Sequence, residues 1–251
     1  MGYSEDLYNC DSLEELFALW KNKAPQEISY TIRKQVVSRT INHRENYFIA
    51  DGIVNDSVWN SGKKKRILFV LKEAYGVDWG DKTLATWLRD DKPKLRMWKR
   101  VARWTYGIQN TDANYIPRYV PELSDDMHGE CLNQIAVINI KKSDGDSRSE
   151  YAEIDEYAKA DREEIKKEFS LVDADIVVCG STFKTLLHDV FERPELTNET
   201  ACDNWYYYMN LDGKERLFID AYHPANQWPD LMNYYTVTNI YQQALLDRKT
   251  K

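Results

Sequence analysis

Four short runs of apolar residues alternate along the chain with segments of helical periodicity. The runs are Ile67–Leu71, Ile135–Ile140, Ile176–Cys179 and Leu217–Tyr222, each bounded by polar or turn residues. They are rich in Val, Ile and Phe without polar alternation, which is typical of strands buried on both faces. Strands separated by helix-length segments form a parallel sheet covered on both sides. The pattern therefore predicts an α/β fold around a central four-stranded parallel sheet.

The segments around these runs predict the helices that flank the sheet. An N-terminal extension, residues 1–60, is expected to be mainly helical and to pack on the sheet, with irregular structure over residues 46–62. No internal repeat or Pro/Gly-rich linker interrupts the chain, so residues 1–251 are predicted to form one domain. The predicted helices are residues 12–22, 26–40, 148–169, the segment after Gly180-Ser181, and residues 230–247.

Charge is unevenly distributed along this pattern. The chain has 34 Lys and Arg against 41 Asp and Glu, a net charge of -7, yet ten acids and four bases lie between Glu150 and Asp175. Residues 92–103 carry six basic and no acidic side chains, and helical spacing places five of the six on one arc. A solvated helix face is one interpretation; a phosphate-binding face is the other. Because the charges are segregated, the negative total does not exclude nucleic acid as a partner.

Composition excludes several classes of protein. An apolar fraction of 43%, with 8 Trp, 17 Tyr and 7 Phe, is too high for a disordered chain. No apolar run approaches the ~20 residues of a membrane span, and the N-terminus lacks the features of a secretory signal. We therefore expect a soluble, cytoplasmic and monomeric protein without a membrane partner.

Cysteine and histidine spacing does not predict a metal site. The four cysteines are far apart and form no C-x-x-C pair, so reduced core thiols are expected. His128-Gly129-Glu130 matches one half of the zinc deaminase signature, but the P-C-x-x-C half is absent. The sequence predicts neither a metal nor another cofactor.

Chemistry-bearing residues follow each of the four runs. Ligands of open parallel sheets bind beyond the carboxyl ends of the strands, so these residues are expected to meet at one edge. A carboxylate, an amide, a helix start and an imidazole together form a credible site. The segments are Lys72-Glu73-Ala74-Tyr75-Gly76, Asn139 to Lys142, Gly180-Ser181-Thr182 and His223-Pro224-Ala225-Asn226.

In this order, the motifs resemble those of the uracil-DNA glycosylase superfamily, nearest to its bacterial and archaeal family 4. The first family motif, G-E-A-P-G, corresponds to residues 72–76, and the Asn of T-N-x-x-K corresponds to Asn139. A Gly-rich helix start corresponds to residues 180–182, and H-P-S corresponds to residues 223–225. The resemblance covers about residues 66–226 and implies the fold of that superfamily.

The resemblance implies a DNA glycosylase, a hydrolase that flips uracil or another modified base out of the stack and cleaves its N-glycosidic bond. His223 would donate a hydrogen bond to the carbonyl of the departing base, and Asn139 would read the base edge. Glu73 would orient water or balance charge on the sugar. Trp79 is the candidate aromatic platform for the flipped base, with Tyr75 as the alternative.

Further contacts are implied for the base and for the DNA backbone. Gly76, at the end of the first motif, is assigned to substrate binding. The phosphate contacts are assigned to the basic helix face, to the lysine of the second motif and to the third motif, whose serine is expected to cap a helix. These residues are Arg96, Lys99, Arg100, Arg103, Lys142 and Ser181.

The chain departs from the family pattern at several positions. Lys72 replaces a Gly, Tyr75 replaces a Pro and Ala225 replaces a Ser, while Ala74 stands where family 1 enzymes have a water-activating Asp. Family 4 members bind an iron–sulfur cluster through cysteines that include a C-x-x-C pair, which this chain lacks. A divergent member that acts on another modified base is therefore equally compatible with the motifs.

Two other functions remain open at this level. The departures favour a catalytically silent nucleic-acid-binding module, whose binding would depend on salt but yield no product. A small-molecule enzyme, such as a nucleoside or nucleotide hydrolase, could use the same strand-end site, although the commonest nucleotide and hydrolase motifs are absent. Individual residues also have purely structural interpretations, such as a salt bridge for Glu73 or a strand-end hydrogen bond for Asn139.

Overall fold

The four apolar runs form the middle of a larger sheet in the computed structural model, which describes residues 2–75, 82–146, 148–194, 196 and 205–249. In that part of the chain, six strands form one sheet in the order β3-β5-β4-β6-β8-β7, and β1 and β2 form a separate pair. The strands are β1 (Gln26–Ile32), β2 (Gln35–Ile41), β3 (Gly52–Ile53), β4 (Ile67–Glu73), β5 (Ile135–Lys141), β6 (Ile176–Gly180), β7 (Tyr206–Leu211) and β8 (Lys214–Ala221).

The protein is thus α/β, but the sheet is mixed rather than four-stranded and parallel. The predicted strands β5, β4, β6 and β8 pair in parallel. Two further strands flank them, β3 antiparallel to β5 and β7 antiparallel to β8. Asp212 and Gly213 both have positive φ and form the two-residue turn between β7 and β8, a sequence signal typical of hairpins. Because β3 has only two residues, it is too short for a hydrophobic pattern in the sequence to predict it.

Helices cover both faces of this sheet and form two hydrophobic cores. Ile67, Phe69 and Leu71 of β4 face one core, and the alternate residues Leu68 and Val70 face the other. The helices are α1 (Tyr3–Asn9), α2 (Leu13–Lys21), α3 (Asp56–Trp59), α4 (Leu84–Asp91), α5 (Arg96–Asn110), α6 (Asp125–Asn133), α7 (Tyr151–Ala160), α8 (Arg162–Val172), α9 (Phe183–Thr185) with a following π-helical turn (Leu186–Val190), and α10 (Asp230–Lys249).

Two predicted helices are confirmed almost residue for residue. Helix α2 begins after Ser12, whose side chain accepts a hydrogen bond from the Glu15 N–H, as expected for an N-cap. Helix α10 matches the predicted C-terminal helix. None of the described helices is long and apolar enough to cross a membrane.

The predicted helix over residues 26–40 is wrong, because this segment forms the β1–β2 hairpin. Arg33 and Lys34 both have positive φ, at 49° and 71°, and make the two-residue turn. The flanking segments are rich in β-branched residues, which favour strands. Ile28 and Tyr30 of β1 are buried against Tyr157 of α7.

The long helix predicted over residues 148–169 is divided at Asp161 into α7 and α8. The Asp161 carboxylate is fully buried, where His43 Nε2 lies 3.0 Å away and Lys23 Nζ donates at 3.0 Å. Burial by itself would raise the pKa of Asp161. The hydrogen bonds and charges of His43 and Lys23 outweigh that effect and lower the pKa. The helix break therefore places a carboxylate where the N-terminal segment can be anchored to it.

The basic segment is also shorter as a helix than predicted. Lys92 has φ 46° and ends α4 in the left-handed conformation, Pro93 follows, and α5 begins only at Arg96. Lys92 and Lys94 consequently lie outside α5. Helix α5 packs against α10, which begins shortly after the strand-end segment of β8.

Candidate functional site

The carboxyl ends of β6 and β8 are tied together at Ser181. Its φ of 59° reverses the chain, and its N–H donates to the Ala221 carbonyl at 2.8 Å. Its hydroxyl accepts the His223 N–H at 2.9 Å. Ser181 is therefore not the predicted helix cap, because Thr182 precedes α9, and its N–H is already occupied by Ala221 rather than open to phosphate.

A close backbone approach at Gly180 brings His223 to this edge. A Cβ on Gly180 would lie 2.8 Å from Leu71 Cδ2 and 3.1 Å from Pro224 Cδ. A side chain there would push the segment after β8 away from the end of β4. The Gly-Ser pair thus positions the histidine segment instead of starting a long helix.

The His223 imidazole is neutral and presents one free N–H. Its Nδ1 accepts the Ala225 N–H at 3.2 Å, so the ring proton of the neutral form lies on Nε2. Nε2 has no hydrogen-bond partner among the described residues. Burial, and secondarily the positive charge of Lys72, lower the pKa of His223 to about 4. The ring is therefore a hydrogen-bond donor that stays uncharged at neutral pH.

Lys72, one of the departures from the family motif, supplies the positive charge beside this imidazole. It lies at the end of β4 with Nζ 4.4 Å from the centroid of the Tyr151 ring. The face of an aromatic ring attracts a cation but does not neutralise its charge, as a carboxylate would. The ammonium therefore keeps a positive potential next to His223.

A cleft of about 440 Å³ adjoins this segment. Tyr151, Ser181 and Tyr222 line it, together with the carboxyl group of Asp220, three residues before His223. The carboxyl group of Asp220 makes no hydrogen bond or ion pair within the described residues. Burial, partly offset by Lys184, raises its pKa to about 6. Asp220 is a functional candidate that the sequence did not indicate, because it lies within the otherwise apolar run Leu217–Tyr222.

Arg100 of α5 holds the segment that follows His223. Its side chain is buried and donates to the carbonyls of Pro224 at 2.7 Å, Asn226 at 2.9 Å and Trp228 at 3.1 Å. It also forms an ion pair with Asp230, with Nε 3.0 Å from Oδ1. Because the guanidinium is buried and its donors are occupied by these groups, the structure removes Arg100 from the predicted phosphate contacts. Its role is to hold the segment after His223 in place.

The other basic residues of α5 divide into buried and accessible groups. Arg103 is buried, with bonds to Asp230 at 2.9 Å and to the Pro121 carbonyl at 2.7 Å, and is likewise unavailable to phosphate. Arg96 is exposed, and Lys99 is half-buried without an ion pair among the described residues. Only Arg96 and Lys99 keep the accessibility that the phosphate-binding prediction requires.

Asn139 and Lys142 belong to a separate, buried cluster. Asn139 donates to Asp51 Oδ2 through its backbone N–H at 2.7 Å and its side-chain amide at 3.3 Å. Its Oδ1 is buried and has no partner in the described part of the chain. Lys142 is completely buried, 2.5 Å from Asp51 Oδ1 and 2.8 Å from Glu168. The predicted phosphate contact of Lys142 is excluded by this burial.

Two carboxylates share the ammonium of Lys142. Burial opposes its charged form, but Asp51 and Glu168 outweigh that effect and raise the pKa of Lys142. Burial raises the pKa of Glu168 well above its usual range, and the charge of Lys142 opposes that rise. Asp51 lies just before β3. No sequence motif identifies it as a site residue, because it reaches Asn139 only through the pairing of β3 with β5.

Glu73 is held in a second ion pair instead of facing open space. Its side chain is 3% exposed and lies 3.0 Å from Lys141 Nζ. A Cβ on Gly145 would lie 2.4 Å from the Glu73 carboxyl carbon, so the segment after β5 covers this carboxylate. The structure therefore gives Glu73 the salt-bridge role, but with Lys141 and not with Lys72.

The remaining predicted residues lie at or beyond the end of β4. Tyr75 is exposed and remains a candidate aromatic contact. Gly76 and Trp79 lie outside the described residues. His128 is buried in α6 and bonds to the Pro93 carbonyl, and no cluster able to hold a metal occurs in the ranges that the structure describes.

The structure thus separates the predicted residues into two groups. His223, Ser181 and Lys72 come together at the ends of β8, β6 and β4, whereas Asn139 and Lys142 meet at Asp51. No protein-family model matches the chain, and no characterised protein is significantly similar to it in sequence. The functional argument consequently depends on the site itself.

Proposed function

We propose that the protein is a DNA glycosylase-like hydrolase that cleaves the N-glycosidic bond of uracil or another modified base. The observation that carries this proposal is the neutral His223, whose Nε2–H is free and whose Nδ1 is occupied by the Ala225 N–H. Cleavage leaves the bonding electron pair on the departing base, and in a pyrimidine much of that charge reaches a carbonyl oxygen. A fixed neutral donor stabilises this oxygen without transferring its own proton.

Lys72 supports the same chemistry. Its ammonium lies over Tyr151 and acts electrostatically on His223. A positive potential beside the leaving group favours an anionic base, and burial strengthens that interaction relative to water. A lysine in place of the family's glycine is therefore compatible with glycosidic cleavage.

Water activation is assigned to Asp220 in this proposal, because Glu73 is covered and paired. The water oxygen forms a bond to the sugar C1′ as the C1′–N bond breaks, and its proton passes to the Asp220 carboxylate. A carboxyl group with a pKa near 6 is mostly ionised at neutral pH and is a competent general base. The departing anion then takes a proton from solvent.

Asn139 retains one feature expected of a base-reading residue. Its amide nitrogen is committed to Asp51, but its buried Oδ1 accepts nothing. An unpaired buried acceptor suits an N–H of a ligand, since leaving it unmatched costs about 1–3 kcal/mol.

A binding module without catalysis is the second candidate, favoured by the burial of Glu73 against Lys141. The two functions differ in their products. Oligonucleotides that each carry one altered base are incubated with the protein, and released base is measured by chromatography and abasic sites by alkaline strand cleavage. Release from at least one substrate, reduced about 100-fold or more by His223→Ala, is expected for the enzyme.

A matched control separates chemistry from folding. His128→Asn changes a histidine of α6, away from the ends of β6 and β8, and is expected to leave base release within about twofold. If no altered base is released while the oligonucleotides still bind, the enzyme proposal fails and the binding module is the better account. If His223→Ala releases base as fast as the wild type, the assigned site is wrong.

A further inference from the structure

Three exposed aromatic side chains form a continuous row beside His223. The aromatic row consists of Trp205, Tyr222 and Trp228, which are 40%, 45% and 52% exposed. The ring centroids of Trp205 and Tyr222 are 5.4 Å apart, and those of Tyr222 and Trp228 are 6.4 Å apart with planes 25° from parallel. Single exposed aromatics are common, but a contiguous group of three large rings indicates a binding surface.

The backbone under the row is firmly held. The Trp228 carbonyl accepts from Arg100 at 3.1 Å and from Asn233 at 3.1 Å, and its N–H donates to Asn226 Oδ1 at 2.9 Å. At the other end, the Trp205 carbonyl accepts the Asp220 N–H at 2.9 Å. The rings are therefore presented by an ordered backbone, which reduces the entropy lost on binding.

The charges around the row are predominantly positive at the Trp228 end. Arg96, Arg100 and Arg103 surround the single carboxylate of Asp230. Arg96 is the exposed member and lies 3.4 Å from the Trp228 carbonyl. At the opposite end the carboxyl group of Asp220 lines the cleft with Trp205 and Tyr222, so phosphate is favoured only on the Trp228 side.

We propose that the aromatic row is a stacking surface for the unpaired bases of single-stranded DNA. Flat exposed rings stack on any base face, and an adjacent guanidinium contacts the backbone phosphates. In a duplex the base faces are already covered by neighbouring bases, so this row discriminates in favour of unpaired strands. The inference rests on the proposed function for its ligand class, DNA, and extends it to the strand state of the substrate.

The row also gives the strand a direction toward the site. Tyr222 is the central ring and immediately precedes His223 in the chain, while both Trp205 and Tyr222 line the cleft that contains Asp220. Bases stacked on Trp228 and Tyr222 would bring the next nucleotide to this cleft. Extrusion of a base from a duplex costs a few kcal/mol, and an unpaired substrate avoids most of that cost.

Binding is measured with the full chain by fluorescence anisotropy of three labelled ligands of equal length. These are a single-stranded thymidine oligomer, a single-stranded sugar-phosphate oligomer without bases, and a mixed-sequence duplex. We expect the thymidine oligomer to bind about tenfold more tightly than either of the others. Equal binding of the base-free oligomer would show that phosphate contacts suffice and would overturn the proposal.

Variants locate the effect on the row. Trp228→Ala and Tyr222→Ala are each expected to weaken binding of the thymidine oligomer about tenfold, within the range known for base–aromatic stacking, and to leave the base-free oligomer unchanged. Tyr222→Phe keeps the ring and is expected to bind like the wild type. Tyr8→Ala removes another exposed tyrosine, which lies in α1 and is 82% exposed, and serves as the matched control.

Because the readout is binding, this test is independent of base release. Selective loss of single-strand binding in the two alanine variants supports the row even if no altered base is ever released. Unchanged binding in both variants, with unfolding temperatures like that of the wild type, overturns the row even if His223 proves essential for base release.

Discussion

The two halves of the sheet's carboxyl edge differ in how completely their polar groups are paired. At the ends of β4 and β5, Glu73 pairs with Lys141, and Lys142 with Asp51 and Glu168, all under a covering segment or in the core. At the ends of β6 and β8, His223 Nε2 and the Asp220 carboxyl have no partner among the described residues. One half is therefore closed by its own ion pairs, and the other half is open.

This difference separates structural from functional polar residues better than position alone. Buried polar groups are nearly always paired, so an unpaired one near a cleft is informative. Both halves contain chemistry-bearing residues immediately after a strand. Among the described residues, the β6–β8 half has an unpaired carboxyl group in an accessible cleft and the free His223 donor on the adjoining segment, which is why the proposed chemistry is assigned there.

The most damaging change to the closed half is removal of its buried cation. Lys142→Ala would leave Asp51 and Glu168 facing each other without a counter-charge and is expected to lower the free energy of unfolding by about 3–5 kcal/mol. Urea denaturation measures this loss. Lys99→Ala changes a half-buried lysine that has no ion pair among the described residues. This control should change stability by no more than about 0.5 kcal/mol. A loss below about 1 kcal/mol for Lys142→Ala would contradict a closed, ion-paired half.

The two carboxylates at the edge are expected to differ in catalysis. Asp220→Asn should lower single-turnover base release by about 100-fold because it removes the general base. Glu73→Gln, which alters only the closed half, should lower it less than about tenfold and act mainly through stability. The reverse order of effects would transfer the water-activating role to Glu73 and remove the distinction between the halves.

Arg100→Ala tests whether the open half depends on Arg100 to hold the segment after His223 in place. Loss of the hydrogen bonds to three carbonyls and to Asp230 is expected to cost about 2–3 kcal/mol. Amide hydrogen exchange over residues 224–230 should accelerate more than exchange in β4 or β6. Lys99→Ala, which changes a neighbour on the same helix with no ion pair among the described residues, should leave these rates unchanged. Uniform acceleration across the sheet would indicate general destabilisation instead of a local effect.

The pH dependence of activity and of stability should test the roles of Asp220 and His223 in the open half. Activity is expected to rise through pH 6 as Asp220 ionises, since its pKa is raised to about 6. Because the pKa of Asp220 is raised in the folded state, its contribution to the free energy of unfolding falls as the pH rises from the ordinary pKa of an aspartate to about 6. The lowered pKa of His223, about 4, has the opposite sign, because the folded state gains stability as pH rises from 4 to 6.5.

The two opposing effects nearly cancel between pH 4 and 6 in the wild type. Asp220→Asn should unmask the histidine contribution, so that unfolding free energy rises more steeply with pH, by about 1 kcal/mol per pH unit. Urea denaturation at a series of pH values measures the slope. An unchanged slope, or an activity limb at pH 6 that persists in Asp220→Asn, would contradict the assignment.

The smallest expected effect concerns Lys72. Because burial is the larger cause of the lowered His223 pKa and Lys72 the smaller, Lys72→Ala should raise that pKa by less than about one unit. Titration of the imidazole by NMR measures the shift. Lys184→Ala, which acts on Asp220, should leave the imidazole unaffected, and a fall of the His223 pKa in Lys72→Ala would contradict the geometry.

The sequence predicted those parts of the fold that short-range patterns determine. The four buried strands and the helices α2 and α10 were predictable from apolar runs, periodicity and the Ser12 cap. The β1–β2 hairpin was missed because its Arg33-Lys34 turn contains neither Gly nor Asn, the usual turn residues. The β7–β8 hairpin did carry such a signal in Asp212-Gly213.

The site was predictable only where one segment contains its own chemistry. His223, with Nδ1 accepting from Ala225, is a local arrangement. Arg100 and Lys142 were interpreted as surface cations, yet both are buried by partners about 130 and 90 residues away in the chain, Asp230 and Asp51. Spacing along a helix indicates which charges share a face, but not whether that face is covered.

Asp230 joins three parts of the molecule through one carboxylate. It is the first residue of α10, the partner of Arg100 and Arg103 on α5, and the end of the segment that begins at His223. A change of Asp230 alone would leave the buried guanidinium groups of Arg100 and Arg103 without their shared carboxylate. In evolution, positions 100 and 230 should therefore covary, with charge exchanged or lost at both together, even where the aromatic and catalytic residues around them diverge.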